Sequence, residues 1–135
     1  LNLKLNLEQG DITFSKSRIN WKDDLEIILD NGLLNYDENE IYLIGKLLIN
    51  AKNIDNFYKS FQIKKIHRKK IKQLKLDFVY NFNKNKFIFD NVEIDNKSNE
   101  NLNNFLIKFN SSEKKFLNKI LFKNFVKEFF KNYAG

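Results

Sequence analysis

Hydrophobic and polar residues alternate from the first position of the chain. Leu1, Leu3, Leu5 and Leu7 are separated by Asn2, Lys4 and Asn6, the period of two that gives a β-strand one apolar face. Gln9-Gly10-Asp11 predicts a turn. Ile12 and Phe14 then share one parity and Ile19 and Trp21 the other, so Ser15-Lys16-Ser17 is expected to hold a bulge or a short loop. Leu25, Ile27 and Leu29 continue the alternation to Asn31-Gly32, a dipeptide that favours a hairpin. Leu33 to Tyr36 predicts a short strand, and Asp37-Glu38-Asn39-Glu40 a polar turn. Ile41, Leu43, Gly45, Leu47, Ile49 and Ala51 form one face of the longest predicted strand. Its other face carries Tyr42, Ile44 and Leu48, so burial on both sides is expected. Gly45 inside it predicts a bend or a close backbone approach.

A helix near 53–66 interrupts the strands. Ile54, Phe57, Tyr58 and Phe61 fall at i, i+3, i+4 and i+7 behind Asn53, a good N-cap residue. Alternation resumes in Leu74, Leu76, Phe78, Tyr80 and Phe82, turns at Asn83-Lys84-Asn85-Lys86, and returns through Phe87 and Phe89. The parity shift to Val92 and Ile94 predicts another bulge. The tail reads as helix. Leu102, Phe105, Leu106 and Phe109 make one stripe, and Ser111-Ser112-Glu113 predicts a stop and a fresh start. Beyond it, Phe116, Leu117, Ile120 and Leu121 point one way. Phe122, Phe125, Val126, Phe129, Phe130 and Tyr133 point the other, so a single helix there must bend near Lys119 to Lys123 or lie between two apolar surfaces.

These elements predict an α+β, mainly β fold. Residues 1–97 are expected to form a curved antiparallel meander, a groove-like sheet with one inserted helix. Residues 98–135 are expected to form C-terminal amphipathic helices, packed on the sheet or near a membrane. The alternating strands offer more apolar face than these helices can cover. The remainder would line a groove suited to acyl chains, with Leu3, Leu5, Ile27, Leu43, Leu47, Phe78 and Tyr80 as its candidate lining. A closed sandwich satisfies the same pattern.

Composition narrows the choice. A chain of 135 residues that is 42% hydrophobic and 30% charged has the make-up of one folded domain rather than a disordered segment. No window approaches the roughly 20 apolar residues of a membrane-spanning helix. The absence of Cys excludes disulfides, thiolate chemistry and cysteine metal sites. Because Met is absent and Leu1 already stands in a strand pattern, the chain is expected to be a piece of a longer protein, its C-terminal piece. The net charge of +7 suggests an anionic partner, yet Arg occurs only at Arg18 and Arg68, and Arg is the residue best suited to bidentate phosphate and base contacts. The 22 Lys and 22 Asn, with abundant Ile and Phe, share A/T-rich codons, which account for much of the lysine without selection for phosphate.

Catalytic chemistry is poorly provided. His67 is the only histidine and stands beside Arg68, Lys69 and Lys70, which repel a metal; no carboxylate neighbours it. Asp23-Asp24, Asp37-Glu38-Glu40, Asp90, Glu93 and Asp95 lack the spacing and central Gly of a calcium loop, and no phosphate-binding or dinucleotide-binding glycine motif occurs. No enzyme, metal or cofactor is expected. Lys64, Lys65, Arg68, Lys69, Lys70 and Lys72 make a basic patch readable as a phosphate site on nucleic acid or lipid headgroups, or as a lysine-solvated connection. The interleaved Ile63, Ile66 and Ile71 favour the connection. A nucleic-acid domain would pair this patch with Tyr80 or Phe82 for stacking. Phe122, Phe125, Val126, Phe129 and Phe130, opposed to Lys115, Lys119, Lys123, Lys127 and Lys131, suit a helix packed on a sheet or lying on an anionic membrane, and sheet packing is favoured. A plain interaction module remains open as well.

Several segments resemble the C-terminal region of AsmA-like proteins of Gram-negative bacteria. They are Asp11-Ile12-Thr13-Phe14-Ser15 leading to Ile19-Asn20-Trp21-Lys22-Asp23, Ile41-Tyr42-Leu43-Ile44-Gly45, Phe57-Tyr58-Lys59-Ser60-Phe61-Gln62-Ile63, the hairpin from Phe78 to Ile94, and Lys123-Asn124-Phe125-Val126-Lys127-Glu128-Phe129-Phe130. The resemblance implies a periplasmic envelope protein with an N-terminal inner-membrane anchor upstream in the same polypeptide. It further implies a long β-groove that carries phospholipid acyl chains towards the outer membrane.

Overall fold

The alternating segments pair in sequence order into one open, curved antiparallel sheet. The structure, a computed structural model, describes residues 2–116 and 118–135. Leu1, expected in the first strand, and Leu117, expected on the tail helix, lie outside the described residues. Among the described residues the strands are β1 (Leu5–Glu8), β2 (Asp11–Phe14), β3 (Ser17–Trp21), β4 (Leu25–Asp37), β5 (Glu40–Ala51), β6 (Gln73–Asn81), β7 (Lys86–Ile94) and β8 (Lys97–Ser98). The helices are α1 (Ile54–Ser60), α2 (Glu100–Asn110) and α3 (Lys119–Ala134). The sheet order is β1-β2-β4-β5-β6-β7-β8, and β3 also pairs with β4. β2 and β3 are two halves of one broken strand: β2 pairs opposite Gly32 to Leu34, β3 opposite Leu25 to Leu29.

Asparagine provides much of the punctuation that Gly and Pro usually supply. It adopts a left-handed backbone at Asn31, Asn39, Asn85, Asn91 and Asn96, a conformation its short side chain tolerates. Two-residue turns with both φ positive join β1 to β2 (Gln9-Gly10), β4 to β5 (Glu38-Asn39) and β7 to β8 (Asp95-Asn96). Asparagine also caps all three helices. The side chains of Asn53, Asn99 and Asn118 accept from the backbone N–H of Asn56, Leu102 and Leu121.

The structure corrects several readings. Asn31-Gly32 is not a hairpin: β4 runs straight through it for 13 residues as a bulge, making β4, not β5, the longest strand. No residue of β5 is fully buried, because only one of its faces is covered by helices. α1 stops at Ser60 rather than near 66, and Gln62 turns the chain with φ of 55°. The tail helix begins at Lys119, so Phe116 is not on it, and of the second expected face only Ile120 and Leu121 remain on the helix, both exposed.

The bulges set which residues share a face. β4 carries one residue more than β5 between Asp30 and Leu33, and β7 one more than β6 at Asn91. Both lie beside the same cross-strand row, Asp30–Lys46–Asp77–Asp90, and the β2–β3 break at Lys16 (φ 49°) faces the β4 bulge. They crease the sheet along one line. On the helix-bearing face they bring into register Ile19–Ile27–Ile49–Leu74–Ile94 and Leu29–Leu47–Leu76–Val92 on one side of the crease. On the other side they align Leu7–Ile12–Leu34–Leu43–Tyr80–Phe87. The opposite face is mixed: Glu26, Asn50 and Gln73 are hydrogen-bonded in series at 3.0 and 3.1 Å and Lys46 pairs with Asp77 at 3.7 Å, while Leu33, Ile44, Val79 and Ile88 form an apolar row beside them.

Gly32 and Gly45 meet at the crease. A Cβ on Gly45 would lie 2.9 Å from Leu29 Cδ1, 3.3 Å from the Phe78 ring and 3.4 Å from Gly32 Cα, so the expected close approach is real. Replacing Gly45 with Val therefore overpacks the crease, and a loss of about 1–3 kcal/mol is expected in urea denaturation. At the far end of the β4–β5 hairpin, the Glu40 carboxylate accepts from the Tyr42 hydroxyl, Asn81 Nδ2 (2.7 Å) and Lys84 Nζ (3.2 Å). The Tyr42 hydrogen bond first, then those from Lys84 and Asn81, hold its pKa down from 4.5 to about 2. A depressed folded pKa stabilises above the unfolded value, and that contribution is lost as the folded value is approached. The urea midpoint is expected to fall between pH 4.5 and about 2, and to fall less steeply in Glu40→Gln.

Candidate functional site

Helices α1 and α3 do not close down fully on the sheet, and the space left is wholly apolar. Its floor is Leu25 and Ile27 of β4, Leu47, Ile49 and Ala51 of β5, Leu74 and Leu76 of β6, and Phe87 and Phe89 of β7. Ile71 and Trp21 close two sides. The roof is Ile54, Phe57 and Phe61 at α1, Phe116, and Phe122, Phe125, Val126, Phe129 and Phe130 of α3. The cavity measures about 430 Å³, within the roughly 300–1,000 Å³ of small-molecule sites. Every lining side chain is hydrophobic. Trp21, 39% exposed, is the most solvent-accessible of them and marks the rim beside β3.

Aromatic contacts shape the walls. Phe57 and Phe61 lie 4.5 Å apart, Tyr58 and Phe130 meet edge to face at 5.0 Å, and Phe125 sits 4.7 Å from Phe109 and 4.9 Å from Phe116. Large rigid rings meeting at fixed angles leave gaps that flexible aliphatic chains would fill. The 113–118 connection matters for this reason: it carries Phe116 back against Phe87, Phe89 and Phe122.

An apolar track leads out of the cavity. Phe87 belongs to the row Leu7–Ile12–Leu34–Leu43–Tyr80–Phe87, which crosses the sheet to its β1 edge. Exposure grows along it, from half-buried Tyr80, Leu43 and Leu34 to Leu7 at 70%. Leu5 and Phe14 run beside it and meet Gly32, which adjoins Gly45; Phe78 and Phe89 follow.

The candidate groove residues fall into three groups. Ile27 and Leu47 line the cavity, while Leu43 and Tyr80 lie in the track, with Leu5 and Phe78 beside it. Leu3 lies outside the strands, 55% exposed, and reaches neither. The sequence reading missed Trp21, Phe57, Phe61, Phe87, Phe89 and Phe116 as lining. Strand parity and helix spacing contain a signal for the first five; Phe116 carries none. Phe122, Phe125, Val126, Phe129 and Phe130 are turned onto the sheet.

The basic residues stand elsewhere, on the connection between α1 and β6. Lys64, Lys65, Lys69, Lys70 and Lys72 are exposed and Arg68 half-buried, around a 3₁₀ turn at Lys65–His67. Tyr80 and Phe82 are at the opposite end of β6, about 30 Å from Lys72 at strand rise. Tyr80 is packed on Phe82 and Phe87 at 4.8 and 4.5 Å. The patch and these rings therefore make no common strand-binding surface. Among the described residues no cluster of three His, Cys, Asp or Glu could hold a metal, and no helix is long and apolar enough to cross a membrane.

No family model, curated protein or solved structure matches the chain. Its chemistry has to be read from the cavity itself. Phe125 joins α2, the 113–118 connection and β7 through its ring contacts with Phe109, Phe116 and Phe89. Phe125→Ala is expected to cost about 3 kcal/mol in urea denaturation and to weaken the near-ultraviolet circular dichroism.

Proposed function

We propose that this chain is a non-enzymatic lipid-binding segment that holds phospholipid acyl chains. The observation that carries this reading is the 430 Å³ cavity with no polar lining side chain. Water gains nothing there, because a cavity water needs two to four polar partners and this one supplies none. An acyl chain removes the same surface from water at roughly 25 cal/mol per Å². The apolar row from Phe87 to Leu7 supports a groove that extends past the helices, suiting a ligand longer than the cavity. Together with the resemblance to AsmA-like proteins, these features support a role in phospholipid movement within a bacterial envelope, on the periplasmic side of an inner-membrane anchor.

Native mass spectrometry of the purified protein is expected to show bound phospholipid, and delipidated protein to take up a fluorescent fatty acid. Leu47→Phe adds a ring to the cavity floor and is expected to weaken that uptake about tenfold while the melting temperature holds. Delipidated, folded protein that takes up no acyl probe would rule the reading out.

A further inference from the structure

The surplus of positive charge is not spread along the chain. Between Asp55 and Asp77 lie eight Lys and Arg and no acid, so the rest, with 16 cations against 17 acids, is close to neutral. A gene-wide bias towards lysine codons enriches all segments alike and does not account for this contrast. Six of the eight, Lys64, Lys65, Arg68, Lys69, Lys70 and Lys72, stand on the connection from α1 to β6. None of them takes part in an ion pair among the described residues; those pairs use Arg18, Lys46, Lys84 and Lys131.

This connection is held firmly from beneath. The Tyr58 hydroxyl, on a side chain only 1% exposed, donates to the Lys69 carbonyl at 2.6 Å. Arg68 Nε donates to the Ile63 carbonyl at 2.9 Å, and Asp95 Oδ1 accepts from the backbone of Lys72 and Gln73, each at 2.9 Å. Ile63 and Ile71 are buried at its two ends. Ile66 is not. At the crest of the 3₁₀ turn it is 79% exposed, more than any other large hydrophobic residue described. An exposed isoleucine by itself is ordinary. One lifted by a fixed turn into the middle of six unpaired cations is a different feature.

We propose that this turn docks on an anionic phospholipid bilayer, with the lysines at headgroup phosphates and Ile66 inserted between headgroups. The inference stands on the turn alone and does not depend on the cavity. A bilayer offers negative charge at its surface and hydrocarbon a few ångströms below, matching both halves of the feature. Nucleic acid matches the charge but not the projecting isoleucine, and the rings nearest the patch, His67 and Tyr133 beneath Lys69 at 5.4 Å, are both half-buried.

The test is co-sedimentation with vesicles of phosphatidylglycerol and phosphatidylcholine in equal parts, against phosphatidylcholine alone. Binding is expected only to the anionic vesicles and is expected to weaken as salt rises. Each lysine near the surface contributes about a factor of five, so Lys65→Ala with Lys69→Ala should reduce partitioning roughly 25-fold. Ile66→Asp should weaken it as well, with an unchanged circular dichroism spectrum because the side chain is exposed. Leu47→Phe, which fills the cavity, should bind vesicles as the native chain does. Equal binding to neutral vesicles overturns the proposal, as does loss on Ile120→Asp with Ile66→Asp unaffected. Displacement by a single-stranded oligonucleotide that binds native and Ile66→Asp proteins alike overturns it in favour of a nucleic-acid site. Acyl-probe uptake without vesicle binding overturns the docking and leaves the cavity reading standing.

Discussion

One extra residue in each of two strands holds the apolar face together. In β4, Leu25, Ile27 and Leu29 have odd numbers and Leu34 an even one; in β7, Phe87 and Phe89 are odd, and Val92 and Ile94 even. In an unbroken strand a shift of one residue sends every later side chain to the other face. The bulges at Asn31 and Asn91 absorb that shift on the same cross-strand row, so both halves of each strand keep leucine, isoleucine, valine or phenylalanine on the same face of the sheet. β5 and β6 need no such correction. Gly45 lies next to this line because Leu29 and Phe78 close over it, leaving no room for a side chain.

The cavity and the track follow from this crease. Rows on one side of it are roofed by α1 and α3; on the other side the roof reaches Phe87 and Phe89, and the rows run on from there towards β1. α2 acts instead at the sheet edge. Its Asn110 pairs with both backbone groups of Phe89, at 2.9 and 2.6 Å, and satisfies part of the β7 edge that β8 is too short to reach. Roofing by aromatic rings leaves a gap of about 430 Å³ lined only by hydrophobic side chains. The basic turn is a separate device. Its five lysines are exposed, while Tyr58, whose hydroxyl burial makes harder to ionise, fixes the backbone that carries them.

Much of the sheet was legible because alternation is a local property. The parity changes near Lys16 and between Phe89 and Val92 were visible as irregularities, and the Asn53 cap and the turn at Asp37 to Glu40 were visible as residue types. Asn31-Gly32 was misread because the left-handed backbone it favours serves a bulge as well as a hairpin, and only pairing with β5 decides between them. The start of α3 was misplaced because Ser111, Ser112 and Asn118 are equally good N-cap residues by type, and only the fold chooses Asn118. Of the groove candidates, Ile27 and Leu47 could be placed in the cavity only when the helices were in position, since every residue of one parity looks equivalent along an isolated strand.

The sequence by itself determined the alternating segments, the residues that share a parity within each, and the local concentration of charge, all of which depend on neighbours within a few residues. The tertiary structure decided which part of the apolar face is roofed, that Phe116 joins the roof, and that Ile66 rather than Ile63 or Ile71 stands in solvent. Those outcomes depend on how rigid rings from α1, α3 and β7 fit together and on where buried hydrogen bonds fix a connection. Neither is encoded in the spacing of hydrophobic residues, because packing compares side chains far apart in the chain while periodicity compares only those close together.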